Sequence, residues 1–85
     1  MRAYDVSTTC GTMSVTIFAR TNLAASQMFD DLFFDRYGDW PKSFTTCRRS
    51  VKRDDNPTAL SEALALGKSG LGTYSNGAWT ITPLA

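Results

Sequence analysis

Three places in this chain have residue types that could do chemistry. Gly67-Lys68-Ser69 has the ending of a phosphate-binding loop. Such a loop also needs a glycine five residues before the Gly of Gly-Lys-Ser, and it must leave a strand and open a helix. Position 62 is Glu, and the segment follows a helical stretch, so it reads as a helix stop ahead of a hairpin. Asp30, Asp31 and Asp35 form the second group, close enough on one helix to crowd. Paired carboxylates act as acid and base only in a cleft that separates their pKa values; on a solvated face they are charge. The third group is Cys10 and Cys47, the only cysteines, in a chain with no histidine. Without histidine there is no Ser-His or Cys-His pair, and two thiols make no four-ligand zinc site. The chain is expected to have no enzymatic activity, no cofactor and no metal.

Binding chemistry is better represented. Arg48-Arg49-Ser50-Val51-Lys52-Arg53 is the densest basic run, partly neutralised by Asp54-Asp55. On a strand its alternate members face opposite ways. It reads either as an edge strand guarded by charge or as a phosphate contact. The other group is aromatic. On a helical wheel Phe34 lies opposite the apolar residues, beside Gln27, Asp30 and Asp31. Either the C-terminal hairpin or the Trp40 loop covers it, or it is an exposed anchor rimmed by carboxylates, as at protein-binding hot spots. Phe18 and Trp40 have the same two readings. The first candidate contact set is Asp30, Asp31, Phe34, Asp35 and Trp40; the second is Arg48, Arg49, Lys52 and Arg53.

Eighty-five residues bound the chain to one domain, 1–85, with a modest core. Five Phe, three Tyr and two Trp argue against disorder. The net charge is only +1 but uneven. Residues 1–41 carry three arginines against five aspartates, and residues 42–85 carry six basic residues against three acidic ones. No apolar run approaches the length of a membrane span, and the N-terminus lacks a signal-peptide pattern. A soluble, cytoplasmic protein with reduced cysteines is expected, with no membrane partner.

The elements that would position these residues follow from periodicity. Residues 2–9 and 12–20 alternate as two strands about a Cys10-Gly11 turn. Phe18 breaks the polar face of the second, which is therefore covered on both sides or leaves Phe18 exposed. Thr21 or Asn22 caps a helix over 22–37 whose apolar arc is Ala25, Met28, Phe29, Leu32 and Phe33; Gly38 and Pro41 end it. Residues 43–52 read as a third strand. Asn56-Pro57 opens a short helix through Leu66, with Leu60, Ala63 and Leu64 inward. Asn76-Gly77 predicts a type I′ hairpin with Tyr74 opposite Trp79. The order β-β-α-β-α-β-β predicts an α+β domain. Its antiparallel sheet would have four to five strands, with one long and one short helix on one face. The second and third strands could form a parallel pair through the long helix.

Val15-Thr16-Ile17-Phe18-Ala19-Arg20-Thr21, followed by Ala25 and an acidic, aromatic-rich helix, resembles the build of small phage-encoded inhibitors of the anti-CRISPR type and of phage inhibitors of host RNA polymerase. There too a strand ends in an Ala-x-Thr step and the helix begins at once. The resemblance implies a one-domain, non-enzymatic protein of the host cytoplasm. Such a protein binds and blocks a host protein or ribonucleoprotein complex, such as a CRISPR effector. It carries over no individual residue. The other readings from the sequence are a nucleic-acid-binding module using residues 48–53 and a self-assembling, homodimeric subunit.

Overall fold

The first hairpin pairs β1 (Arg2–Thr8) with β2 (Ser14–Ala19), from Arg2 opposite Ala19 to Ser7 opposite Ser14. Thr8 closes it. Its buried hydroxyl accepts the Met13 N–H at 3.0 Å and donates to the Met13 carbonyl at 3.4 Å, so the turn buries no unpaired hydroxyl. Helix α1 (Asn22–Tyr37) follows immediately. The Thr21 hydroxyl accepts the Ala24 N–H at 3.1 Å, and Gly38 ends the helix in the left-handed region at φ 72°. The computed structural model describes residues 1–83.

Strand β3 (Phe44–Arg49) lies antiparallel to β1 on its outer side. A single 3-10 turn (Val51–Arg53) leads to helix α2 (Pro57–Ala65), where the Asn56 side-chain oxygen accepts the Ala59 N–H at 3.2 Å. Strands β4 (Gly70–Ser75) and β5 (Ala78–Thr82) complete the sheet. Asn76 and Gly77 join them with φ 53° and 77°, the two positive values that a type I′ turn requires. Tyr74 is opposite Trp79, as the sequence predicts. The strand order is β3-β1-β2-β4-β5 and every neighbouring pair is antiparallel. The α+β class, the five strands and the element order are as expected. The parallel pair does not form, because β1 lies between β2 and β3.

The placement of the helices corrects one expectation. They do not share a face of the sheet. Tyr4, Val6, Ile17 and Ala19 pack with Ala25 and Phe29 of α1. Ala3 and Phe18, which alternate with them along β1 and β2, pack with Leu60 and Ala63 of α2, flanked by Trp79 and Ile81. Successive strand residues point to opposite faces, so the domain has two small cores with the sheet between them. Phe18 is thus explained: it is fully buried, and β2 is covered on both sides.

Two boundaries also differ. The third strand stops at Arg49 instead of running to 52, because the 3-10 turn brings Asp54 back onto Arg49. The last hairpin, expected from Thr73-Tyr74-Ser75, starts at Gly70, with two glycines inside β4. A Cβ on Gly72 would lie 2.4 Å from the Phe18 ring, and one on Gly70 would overlap the Thr82 carbonyl. These glycines admit Phe18 and the close pass of β5. We therefore expect Gly72→Ala to destabilise the domain by about 1–3 kcal/mol, the usual range for overpacking. Urea denaturation measures it. The penalty should shrink when Phe18→Leu is present in the same chain, since the clash is with that ring.

Candidate protein-binding face

The outer side of α1 is built by its C-terminal cap. Gly38 donates its N–H to the Phe34 carbonyl at 2.7 Å, which reverses the chain. The Trp40 N–H is then held by the Asp39 carboxylate at 2.8 Å. The reversal lays the Trp40 indole on the Phe34 ring, with centroids 4.5 Å apart and planes 28° from parallel. Both expected readings of Phe34 meet here. Trp40 does cover it, yet Phe34 stays 43% exposed and Trp40 55% exposed. A stacked aromatic pair stands on the surface.

A separate set of rings links the end of α1 to the first core. Phe44 packs on Phe29 (4.8 Å), Phe29 on Phe33 (6.2 Å) and Phe33 on Tyr37 (4.6 Å), a chain of rings from the first core to the surface. Tyr37 is exposed, three residues from Phe34. Leu23 is 69% exposed on the same outward meridian, which runs through positions 23, 27, 30 and 34. Leu23 and Tyr37 were missing from the expected contact set, though their wheel positions place them in it. Asp31, Asp35 and Asp39 are exposed around these rings, and Asp30 is half-buried. Among the described residues the only ion pairs belong to Arg49, so no cation neutralises these four carboxylates within the chain. Burial, and then the Asp31 charge beside it, hold the Asp30 carboxyl above its ordinary value. The arrangement suits contact with cationic side chains: flat rings for a guanidinium or an aliphatic stem, and unpaired carboxylates around them.

The expected basic set is divided by the structure. Arg48 faces the α1 side of the sheet, while Lys52 and Arg53 are exposed on the 3-10 turn. Arg48 and Lys52 share an edge groove of about 480 Å³ with Arg2, which is distant in sequence but adjacent in space. Arg49 turns to the α2 side and is engaged within the fold. Its Nε donates to Asp54 at 2.6 Å, its Nη1 to Asp5 at 3.2 Å, and its guanidinium lies 5.2 Å from the Trp79 ring centre. Burial alone would lower its hold on the proton; the bonds to Asp54 and Asp5 outweigh that and leave its pKa raised.

Cys10 and Cys47 are free and exposed. In the first hairpin the Cys10 Sγ lies 2.9 Å from the Thr12 hydroxyl. The Thr12 hydroxyl first, then the Thr12 backbone and the Thr8 side chain, lower the thiol from 9.0 to about 7. Among the described residues no group of three or more His, Cys, Asp or Glu is placed to hold a metal, and no helix is long and apolar enough to cross a membrane. No protein-family model, curated protein or solved structure matches the chain.

Two outcomes are expected from this geometry. Arg49→Met leaves Asp54, whose side chain is only 3% exposed, as a buried charge without its cation. Losing one partner of such a pair costs about 3–5 kcal/mol, read as a shifted denaturant midpoint; Arg48→Met should be near neutral in the same assay. In a Cys47→Ser background, iodoacetamide should alkylate Cys10 with a half-maximal rate near pH 7. Thr12→Val should move that midpoint upward.

Proposed function

We propose that this chain is a non-enzymatic binding protein that docks through the outer face of α1 onto a larger protein with a basic surface. The observation carrying this reading is the exposed Phe34–Trp40 stack with unpaired carboxylates around it. Burying the two rings against a partner releases favourable free energy that the fold itself leaves unused. Asp30, Asp31, Asp35 and Asp39 steer the approach and exclude acidic competitors. A chain with no histidine fits a role without nucleophilic chemistry. The build shared with small phage inhibitors suggests the partner class: a host nucleic-acid-handling protein or ribonucleoprotein, such as a CRISPR effector, whose basic groove is occluded in the host cytoplasm.

The groove formed by Arg2, Arg48 and Lys52 supports a second reading, phosphate contact by a nucleic-acid-binding module. Arg49 is not available for it. One comparison separates the two. A variant with Phe34→Ala and with Asp30, Asp31 and Asp35 reversed to Lys should bind the protein captured from the native host about 30-fold more weakly or worse, the loss of a hot spot. Arg48→Ala with Lys52→Ala and Arg53→Ala should leave that affinity unchanged. Phe34, Asp31 and Asp35 are exposed, so the variant should fold, and circular dichroism is the check on that. Full retention of the partner by the α1 variant would sink the proposal. Its loss in the basic variant, with a salt-dependent gel shift of the wild type, would establish the second reading instead.

A further inference from the structure

The two edges of the sheet differ. At β3 the chain carries Arg48 and Arg49 and breaks at once into a charged turn. Strand β5 reads Ala-Trp-Thr-Ile-Thr and contains neither a charge nor a proline. Edges are normally guarded against pairing by such residues. Which backbone groups of β5 are free follows from the ladder. The Thr8 N–H bonds the Met13 carbonyl at 2.9 Å, so Met13 and every second residue after it turn their backbone groups toward β1. Thr16 and Phe18 then turn theirs toward Gly72 and Gly70 of β4. Leu71, Thr73 and Ser75 turn theirs toward Thr82, Thr80 and Ala78 of β5. The N–H and C=O of Trp79 and of Ile81 are left pointing off the sheet.

We propose that this edge is the seat of a homodimer, in which a second copy adds its own β5 antiparallel with Thr80 on the two-fold axis. In that register Trp79 faces the partner's Ile81 and Ile81 faces the partner's Trp79. All the free backbone groups of both strands are then paired. Shifting by one pair in either direction fails. One shift sets Trp79 against the partner's Pro83, which has no N–H; the other sets Ile81 against the partner's Gly77, inside the turn. Pro83 and the Asn76-Gly77 turn thus bracket β5 so that, of these two-fold registers, the one centred on Thr80 alone satisfies it. The strand is also self-complementary in side chains. Thr meets Thr on one side, Trp meets Ile on the other, and no charge opposes its own copy. The α2 side of the joint has room for this. A groove of about 200 Å³ beside β5 is lined by Ala59, Ala63, Leu66, Ala78 and Trp79, with Glu62 as its only charged group. Leu66, 60% exposed, gains cover there. Helix α1 packs on β1, β2 and β3, so its outer face stays free in the dimer.

Sedimentation velocity from micromolar to millimolar concentration should show reversible conversion to twice the monomer mass. Thr80 is exposed and sits on the proposed axis. Thr80→Lys places like charges directly opposite and should weaken association about tenfold or more, as should Thr80→Glu. Mixing the two variants should restore the dimer, which only a joint with residue 80 facing its own copy predicts. In the wild type, exchange of the Trp79 and Ile81 amides should slow as concentration rises. A monomer at every concentration, a dimer indifferent to Thr80→Lys, or no rescue on mixing would each overturn the proposal.

Discussion

Arg49 and Trp79 meet at 5.2 Å although they sit on opposite edge strands. Strand neighbours lie about 4.8 Å apart, so four spacings separate β3 from β5 by about 19 Å in a flat sheet. Trp79 is also displaced along the strands relative to Arg49. Side chains standing perpendicular to a flat sheet would not bridge that gap. The contact requires the sheet to curl toward its α2 side, and the rest of the second core follows from the curl. Phe18 fills the concavity, Gly72 makes way for it, and α2 caps one end. Arg49 holds the curl with three different interactions. It pairs with Asp54 to fix where α2 begins, with Asp5 to hold β1, and with Trp79 to hold β5.

The clasp carries a cost that shows which term dominates. The indole N–H of Trp79 is buried and finds no acceptor among the described residues. An unpaired buried donor costs about 1–3 kcal/mol. Trp79 accepts that because its position is dictated by its ring. Phe18 meets it edge-on at 5.5 Å, Tyr74 lies at 5.2 Å, and Arg49 covers a face. The aromatic and cationic contacts outweigh the orphaned hydrogen bond, and the residue serves as the hinge of the second core.

Elements with a local cause were legible in the sequence. The Thr21 and Gly38 caps, the Asn56-Pro57 helix start and the Asn-Gly turn act within a few residues, and each appears where the sequence predicts it. What could not be read depends on partners far along the chain. Phe18 looked anomalous because the residues that cover it, Leu60 and Ala63, lie some forty positions later. The use of Gly70 and Gly72, to admit Phe18 and the close pass of Thr82, could not be read from their own neighbours. Arg49 looked like one of four equal cations because its carboxylates come from Asp5 and Asp54, on either side of it in the chain. The candidate face was half legible. Helical spacing identified Phe34 and its carboxylates, while the stacking of Trp40 on it depends on the Gly38 reversal.

That reversal is a further reason for proposing this face as the docking surface. A large ring left on the surface by accident is normally isolated, since nothing in the fold selects a neighbour for it. Here the helix cap aims a second ring at the first, and a carboxylate fixes the backbone of that second residue. The stack shields part of each ring from water and also holds both in one orientation. A rigid aromatic pair loses little side-chain freedom on docking, which is the property that lets a few residues carry an interface. Neither ring belongs to either buried core. Substitutions at Phe34 and Trp40 should therefore leave the fold intact, so the proposed docking role of α1 can be tested apart from its packing role.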